Sequence, residues 1–212
     1  MKERPILFSG PMVRAILEGR KTQTRRLLKI PGIMPRTAFP ITSPDESIEK
    51  WDDGTFHYFS TSAMSGPYPC PYGEPGDRLW VREAWQHGNH PLGPYQPGCP
   101  VYYRADYLDD PHGPDGEKSP EGRYRTWRPS IHMPRTASRI LLEVYDVRVE
   151  RLQDISEAAC LAEGCSGGHG CISGYQYNAT PDEHFKWIWE SVGGDWSANP
   201  WVWVVEFQRL QP

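Results

Sequence analysis

The chain has 212 residues, with 23 Lys and Arg against 27 Asp and Glu, so its formal net charge is −4. This length allows one large domain or two small ones, and it is sufficient for a hydrophobic core. The near-balanced charge excludes a global basic field, so any nucleic-acid or nucleotide site has to be local. The 22 Pro and 20 Gly predict long irregular loops.

The sequence favours a soluble cytoplasmic protein without a membrane segment. The N-terminal residues 1–5 lack the apolar run of a signal peptide, and no stretch approaches the ~20 apolar residues of a membrane span. The five Cys are expected to be free thiols. A structural zinc site is the less favoured alternative, because the nearest ligand types lack a Cys-x-x-Cys pair; they are Cys160, Cys165, His169 and Cys171. We therefore expect no metal and no cofactor.

The N-terminal region predicts a short strand followed by a helix. Residues 6–8 are an apolar strand, and Pro11 suits the first position of a helix. Gly19 is placed to end that helix. Lys21 and Thr24 then lie on the segment that leaves the helix, which we expect to be extended.

The middle of the chain predicts two long Pro- and Gly-rich insertions around one strand. Residues 31–75 show little periodicity and are expected to be a loop. Residues 78–85 alternate as a strand, with Glu83 near its end. Residues 86–130 form the second insertion, interrupted by a short strand at 101–103.

The C-terminal part predicts strands and two capped helices. A long strand is expected over 138–149, apolar on both faces, as in a curved barrel. Residues 154–157 and 180–183 each have the form of a capping box that opens a helix. The first helix runs to Glu163, and a last strand follows at 201–209. The pattern indicates an α+β fold, a mixed barrel decorated by helices, in a single domain over 1–212.

The run from Gly19 to Arg26 is the strongest candidate for chemistry. Lysine and a hydroxyl within reach form a possible base and nucleophile pair, here Lys21 and Thr24. The flanking arginines suit a phosphate or an RNA backbone. A solvated basic turn after a helix is the alternative, because cations suit that end of the helix dipole.

A second group of candidates follows the turn at residues 132–134. Arg135, Ser138 and Arg139 can contact a phosphate or a base edge, and equally can close loops on backbone carbonyls. Glu83 is a candidate carboxylate near the end of a strand, and Glu163, from the sequence alone, is expected to be an ordinary exposed glutamate at the end of a helix. A glutamate in the last turn of a helix faces the negative dipole end, a cost of about 0.3–1 kcal/mol.

Together these pieces resemble the ASCH family of PUA-like barrels. The family motif Gly-x-Lys-x-x-(Glu or Thr)-x-Arg is matched by Gly19, Lys21, Thr24 and Arg26. The resemblance continues in the Gly–Asp turn at 76–77, in the helix ending at Glu163 and in the strand at 203–207. Long members of this shape look like those carried by bacteriophages and prophages. The resemblance implies a PUA-like barrel, with the two insertions lying outside it.

The Lys-x-x-Thr form is similar to the bacterial branch that hydrolyses N(4)-acetylcytidine to cytidine and acetate. By that resemblance the functional trio is Lys21, Thr24 and Glu163, with Glu83 as the rival carboxylate. It implies Thr24 as nucleophile, Lys21 as activating base and Glu163 as proton donor or substrate anchor. The candidate substrate-binding residues are Arg26, Glu83, Arg135, Ser138 and Arg139.

Two functions therefore stand as the main predictions, and cleavage of RNA by a lysine and a carboxylate is a third alternative. The first is an amidohydrolase that removes an acyl group from the exocyclic nitrogen of a modified cytosine nucleoside or nucleotide. The second is a non-catalytic module that binds RNA or a modified base. Since the overall charge is acidic, a small ligand is mildly favoured over a long polyanion. The sequence leaves the acyl group and the oligomeric state open.

Overall fold

The structure, a computed structural model, describes residues 1–29, 47–52, 54–60, 63–88, 93–108 and 127–211. Two compact units are distinguished, and each is described by itself. The first contains Met1–Gly19, Asp77–Glu143 and Arg209–Pro212, and the second contains Arg20–Gly76 and Val144–Gln208. The single-domain organisation stays a prediction.

The described residues contain ten strands and three α-helices. The strands are β1 (Glu3–Leu7), β2 (Gln23–Leu27), β3 (Ser47–Lys50), β4 (Phe56–Ser60), β5 (Ala63–Tyr68), β6 (Arg78–Arg82), β7 (Trp85–His87), β8 (Val101–Tyr103), β9 (Leu141–Arg151) and β10 (Trp201–Leu210). The helices are α1 (Gly10–Leu17), α2 (Glu157–Ala162) and α3 (Pro181–Ser191). The α+β class is thus confirmed. The strands form three sheets, and those described do not close into a barrel.

In the first unit the strands lie in the order β1-β6-β9. β1 is parallel to β6, with Ile6 opposite Val81, and β6 is antiparallel to the start of β9, with Leu79 opposite Leu142. These four side chains are buried, which explains the apolar runs in the sequence. Gly19 follows α1 at φ +75°, a conformation that favours glycine, and it ends the helix as predicted.

In the second unit β9 continues, and the order is β9-β10-β2, with β10 antiparallel to β2. Helices α2 and α3 pack on an apolar cluster together with residues of β10. Its buried members are Leu152, Cys160, Cys165, Phe185, Trp189, Val202 and Val204. The C-terminal strand predicted at 201–209 is therefore confirmed, and it is a core strand of this unit.

The expectation of a loop over residues 31–75 is wrong for its second half. Strands β3, β4 and β5 form an antiparallel sheet there, and Phe56 and Tyr58 are buried. The Phe56 ring meets the Trp203 ring edge-on, with centroids 4.7 Å apart. The prolines on either side led to the loop prediction, although β4 is a short run of strong β-formers. Residues 30–46 lie outside the described residues.

The second expected insertion, 86–130, also has local structure where it is described. The short strand predicted at 101–103 is confirmed as β8, and it pairs with β7. The strand expected over 78–85 is interrupted after Arg82, so that Glu83 lies between β6 and β7. Residues 89–92 and 109–126 lie outside the described residues.

The two predicted helix starts have different outcomes. Thr180 and Glu183 form the predicted capping box of α3. The start of α2 was placed two residues early: its N-cap is Ser156, whose hydroxyl accepts from the Ala159 amide. Asp154 instead belongs to a 3-10 helix, Leu152–Asp154. Among the described residues, no helix has the length and apolar character that crossing a membrane requires.

Candidate functional site

The candidate site lies where the chain entering β2 meets the end of α2, within the second unit. The Thr22 amide donates to the Ala162 carbonyl at 2.8 Å, and Lys21 and Glu163 pair as an isolated antiparallel bridge. The segment before β2 is thus extended, as predicted, and is fixed to the helix end by backbone hydrogen bonds. This places the side chains of Lys21 and Glu163 side by side.

Three alternate residues of this segment contact α2 or Glu163, the residue that follows it. Side chains alternate between the two faces of an extended chain, so Lys21, Gln23 and Arg25 share one face. The Gln23 amide nitrogen donates to the Ala159 carbonyl at 2.9 Å, and the other two reach Glu163. All three are buried. The face that carries Lys21 is therefore directed at the end of α2.

Lys21 and Glu163 form a buried ion pair. Lys21 Nζ lies 2.7 Å from Glu163 Oε2, and the two side chains are 0% and 5% exposed. The same ammonium donates to the Glu163 backbone carbonyl at 2.9 Å. It therefore places a cation at the helix C-terminus and offsets the unfavourable position of the glutamate. Two candidates named by the family resemblance are therefore in direct contact, and their catalytic roles stay a prediction.

Arg25 adds a second cation to Glu163 and joins it to a second carboxylate. Its Nη1 lies 3.3 Å from Glu163 Oε1, and its Nη2 lies 2.7 Å from Glu150 Oε2. The Arg25 side chain is 1% exposed, and its guanidinium carbon lies 6.0 Å from the centre of the Phe185 ring. Both oxygens of Glu163 thus have a cationic partner.

The charge network continues outward through Glu150. Its other oxygen accepts from Arg148, which also binds Glu206 and Asp146. Burial raises the pKa of Glu150, but the hydrogen bonds from Arg148 and Arg25 outweigh it and hold that pKa below its ordinary value. Glu150 is therefore an anion that fixes the outer edge of the Arg25 guanidinium.

Thr24 lies on the opposite face of β2 from Lys21. It is buried and pairs with Val205 of β10, and by alternation it shares its face with Arg26. Burial lowers the pKa of Arg26, while Tyr72 and Glu163 act in the other direction. The Glu163 carboxylate therefore interacts with cations on both faces of the strand, although the side chains of Lys21 and Thr24 point in opposite directions.

Glu83 and Arg139 form a separate cluster in the first unit. Arg139 Nε lies 3.0 Å from Glu83 Oε1, and its Nη1 lies 2.7 Å from Asp106 Oδ2. The guanidinium carbon also lies 4.0 Å from the centre of the Tyr103 ring. Burial raises the pKa of Glu83, and the Arg139 hydrogen bonds oppose this. Glu83 is thus the partner of Arg139, whereas Glu163 is the partner of Lys21.

The remaining candidates of the first unit contact protein groups. Ser138 Oγ donates to the Val81 carbonyl at 2.8 Å, and Arg135 Nε binds Glu3 at 2.9 Å. The Ser138 contact matches the alternative of closing a loop on a backbone carbonyl, whereas Arg135 pairs with a side-chain carboxylate. Binding of substrate by Arg135, Ser138 and Arg139 stays a prediction.

Cys160 and Cys165 are part of the apolar cluster near Glu163. Burial raises the pKa of Cys160 to about 11 and that of Cys165 to about 12. Such thiols are poor ligands and nucleophiles at neutral pH. Within the described part of the chain, His, Cys, Asp and Glu side chains do not gather in a group of three that could hold a metal ion.

Comparisons of the chain with protein-family models, curated proteins and solved structures find no match. The family resemblance therefore stays a prediction.

Sequence reasoning missed Arg25 and Glu150 as members of the site. Arg25 was treated only as one of several flanking cations. Strand alternation carried the signal, since Arg25 is four residues after Lys21 and must share its face. For Glu150 the sequence offers less, because its contact with Arg25 depends on how β9 and β2 are placed in the sheet.

Proposed function

We propose that this chain is an amidohydrolase that removes an acyl group from the exocyclic nitrogen of a modified cytosine nucleoside of the N(4)-acetylcytidine type. The proposal is carried by the buried contact of Lys21 Nζ with Glu163 Oε2 at 2.7 Å. A buried ion pair contributes little net stability compared with apolar residues of similar volume. Its presence at the end of a short helix is therefore more readily explained by chemistry than by folding.

Hydrolysis of an amide needs a nucleophile, a group that moves protons and a donor for the oxyanion. Lys21 and Glu163 supply an acid–base pair, and Thr24 is the proposed nucleophile. The Thr24 side chain projects from the face of β2 opposite to Lys21 and Glu163. Transfer of its proton to this pair therefore requires a side-chain movement or a bridging water. Attack by a water held at Glu163 is the alternative that needs no such movement. Neither route calls for a cofactor.

The finer fold assignment belongs to the same proposal. We infer a PUA-like arrangement from the helix–strand order at the N-terminus, the core strand β10 and the contact between the Lys21 segment and α2. The α+β class is compatible with it.

A second candidate function is a non-catalytic module that binds RNA or a modified base. It is favoured by the cations around Glu163, since Lys21 and Arg25 bind this carboxylate directly and the charge of Arg26 also interacts with it. Binding of a polyanion by such a cluster would weaken steeply between low and physiological salt.

The deciding experiment incubates the protein with N(4)-acetylcytidine and follows cytidine by chromatography. Lys21→Ala is tested alongside, with folding checked by circular dichroism, and Glu157→Gln is the matched control because Glu157 is exposed on α2. Turnover by the wild type and the control but not by Lys21→Ala supports the enzyme. Absence of turnover by the wild type contradicts this substrate class, and salt-dependent RNA binding then supports the second candidate.

A further inference from the structure

We infer that Arg25, fixed by Glu150, is a positioning residue that decides which member of the Lys21–Glu163 pair carries the proton. It holds Glu163 as a carboxylate, so that in the resting site Glu163 is the base and Lys21 is the ammonium. The inference rests on the proposed acyl hydrolysis, and it reverses the roles expected from the family resemblance.

The first step of the argument is the charge on the two oxygens of Glu163. Oε2 faces the Lys21 ammonium at 2.7 Å, and Oε1 faces an Arg25 nitrogen at 3.3 Å. A guanidinium in a protein does not give up its proton. If the Lys21 proton moved to Glu163, Arg25 would face a neutral acid inside a buried site. Arg25 therefore favours the carboxylate form of Glu163, and with it the ammonium form of Lys21.

The second step is the geometry that keeps Arg25 in place. Its Nη2 is held by Glu150 at 2.7 Å, and its side chain is 1% exposed. Within the described part of the chain its Nε is buried without a hydrogen-bond partner, so the two carboxylates are what fix the guanidinium plane. Glu150 is itself held by Arg148. A planar group held at two edges presents Nη1 to Glu163 in one fixed orientation.

The third step is the reaction that this charge state allows. The proton of the attacking hydroxyl, from Thr24 or water, passes to Glu163 while the new oxygen–carbon bond forms. The former carbonyl oxygen becomes an oxyanion, and the Lys21 ammonium donates a hydrogen bond to it. The carbon–nitrogen bond then breaks, and Glu163 returns its proton to the leaving exocyclic nitrogen. If Thr24 attacks, the product of this first half is an acyl-threonine. A water then attacks it and gives its proton to Glu163, and Glu163 returns that proton to the Thr24 oxygen as the carboxylic acid is released.

The test reads the protonation of Lys21 without requiring turnover. Protein labelled with 15N-lysine is examined by NMR at neutral pH, and the Nζ signal is assigned by its loss in Lys21→Ala. We expect the three-proton ammonium pattern in the wild type and in Arg25→Lys, and a smaller ammonium fraction in Arg25→Gln. An amine signal in the wild type overturns the inference, and this outcome needs no folded variant. Equal ammonium fractions in the wild type and in Arg25→Gln also overturn it.

Kinetics then separate this inference from the proposed function. If N(4)-acetylcytidine is turned over, Arg25→Gln is expected to lower kcat by about ten- to hundredfold with KM nearly unchanged, and Arg25→Lys to recover part of that loss. An equal loss in both variants indicates a structural role and contradicts positioning by charge. A wild type without turnover but with the Lys21 ammonium signal refutes the proposed substrate and leaves the charge assignment standing.

Discussion

Lys21 and Glu163 are joined twice, by a backbone bridge and by a side-chain ion pair of 2.7 Å, although 142 positions separate them in the sequence. The backbone bridge fixes where the two Cα atoms lie, so the long lysine side chain is directed at one oxygen of the carboxylate. A contact specified at both levels holds the two side chains in one defined geometry.

Removing the charge of Glu163 is expected to destabilise the protein strongly. Glu163→Gln leaves the buried cations Lys21 and Arg25 without their shared anion, and we expect the free energy of unfolding to fall by about 3–5 kcal/mol. Urea denaturation followed by circular dichroism measures this change. Glu157→Gln on the same helix is the control and is expected to stay within about 1 kcal/mol of the wild type. If the free energy of unfolding falls no more for Glu163→Gln than for the control, the buried ion pair does not affect stability as expected.

The role of Thr24 can be separated from that of an attacking water. If its hydroxyl is the nucleophile, Thr24→Ser keeps measurable turnover of N(4)-acetylcytidine, and Thr24→Ala and Thr24→Val lose it by at least about a hundredfold. Thr24→Val is the closest match in shape. Mass spectrometry of a quenched reaction should then find acyl-enzyme in the wild type. Turnover by Thr24→Val near the wild-type rate would assign the attack to water.

The sequence predicted the elements that depend on local chemistry. The α3 capping box, the helix end at Gly19 and the strand β10 each rest on neighbouring residues, and all three are confirmed. The expectation of a loop over residues 47–68 was wrong. The sequence interpretation gave the nearby prolines more weight than the strong β-formers of β4. Lys21 and Glu163 were named together only through the family resemblance, and their direct contact was not predicted. The contact of Arg25 with Glu150 was missed, since it depends on tertiary structure.

The stability contributed by Glu150 is expected to depend on pH. Arg148 and Arg25 hold its folded-state pKa below the ordinary value of 4.5, so its contribution is complete above that value and is lost as the pH falls below it. The difference in unfolding free energy between the wild type and Glu150→Gln should therefore be largest near neutral pH and shrink below pH 4.5. Urea denaturation at several pH values measures it. A difference that grows on acidification would contradict the charge network.

The buried cysteines are expected to resist alkylation in the native protein. Burial raises the pKa of Cys160 to about 11 and that of Cys165 to about 12, so almost no reactive thiolate is present at pH 8. With iodoacetamide at that pH, peptide mass spectrometry should find Cys160 and Cys165 modified at least about tenfold more slowly than the partly exposed Cys99. Labelling in denaturant, where all thiols are accessible, is the control and should remove the difference. Native Cys165 that reacts as fast as Cys99 would mean that the apolar cluster beneath α2 opens readily, and with it the helix end that holds Glu163.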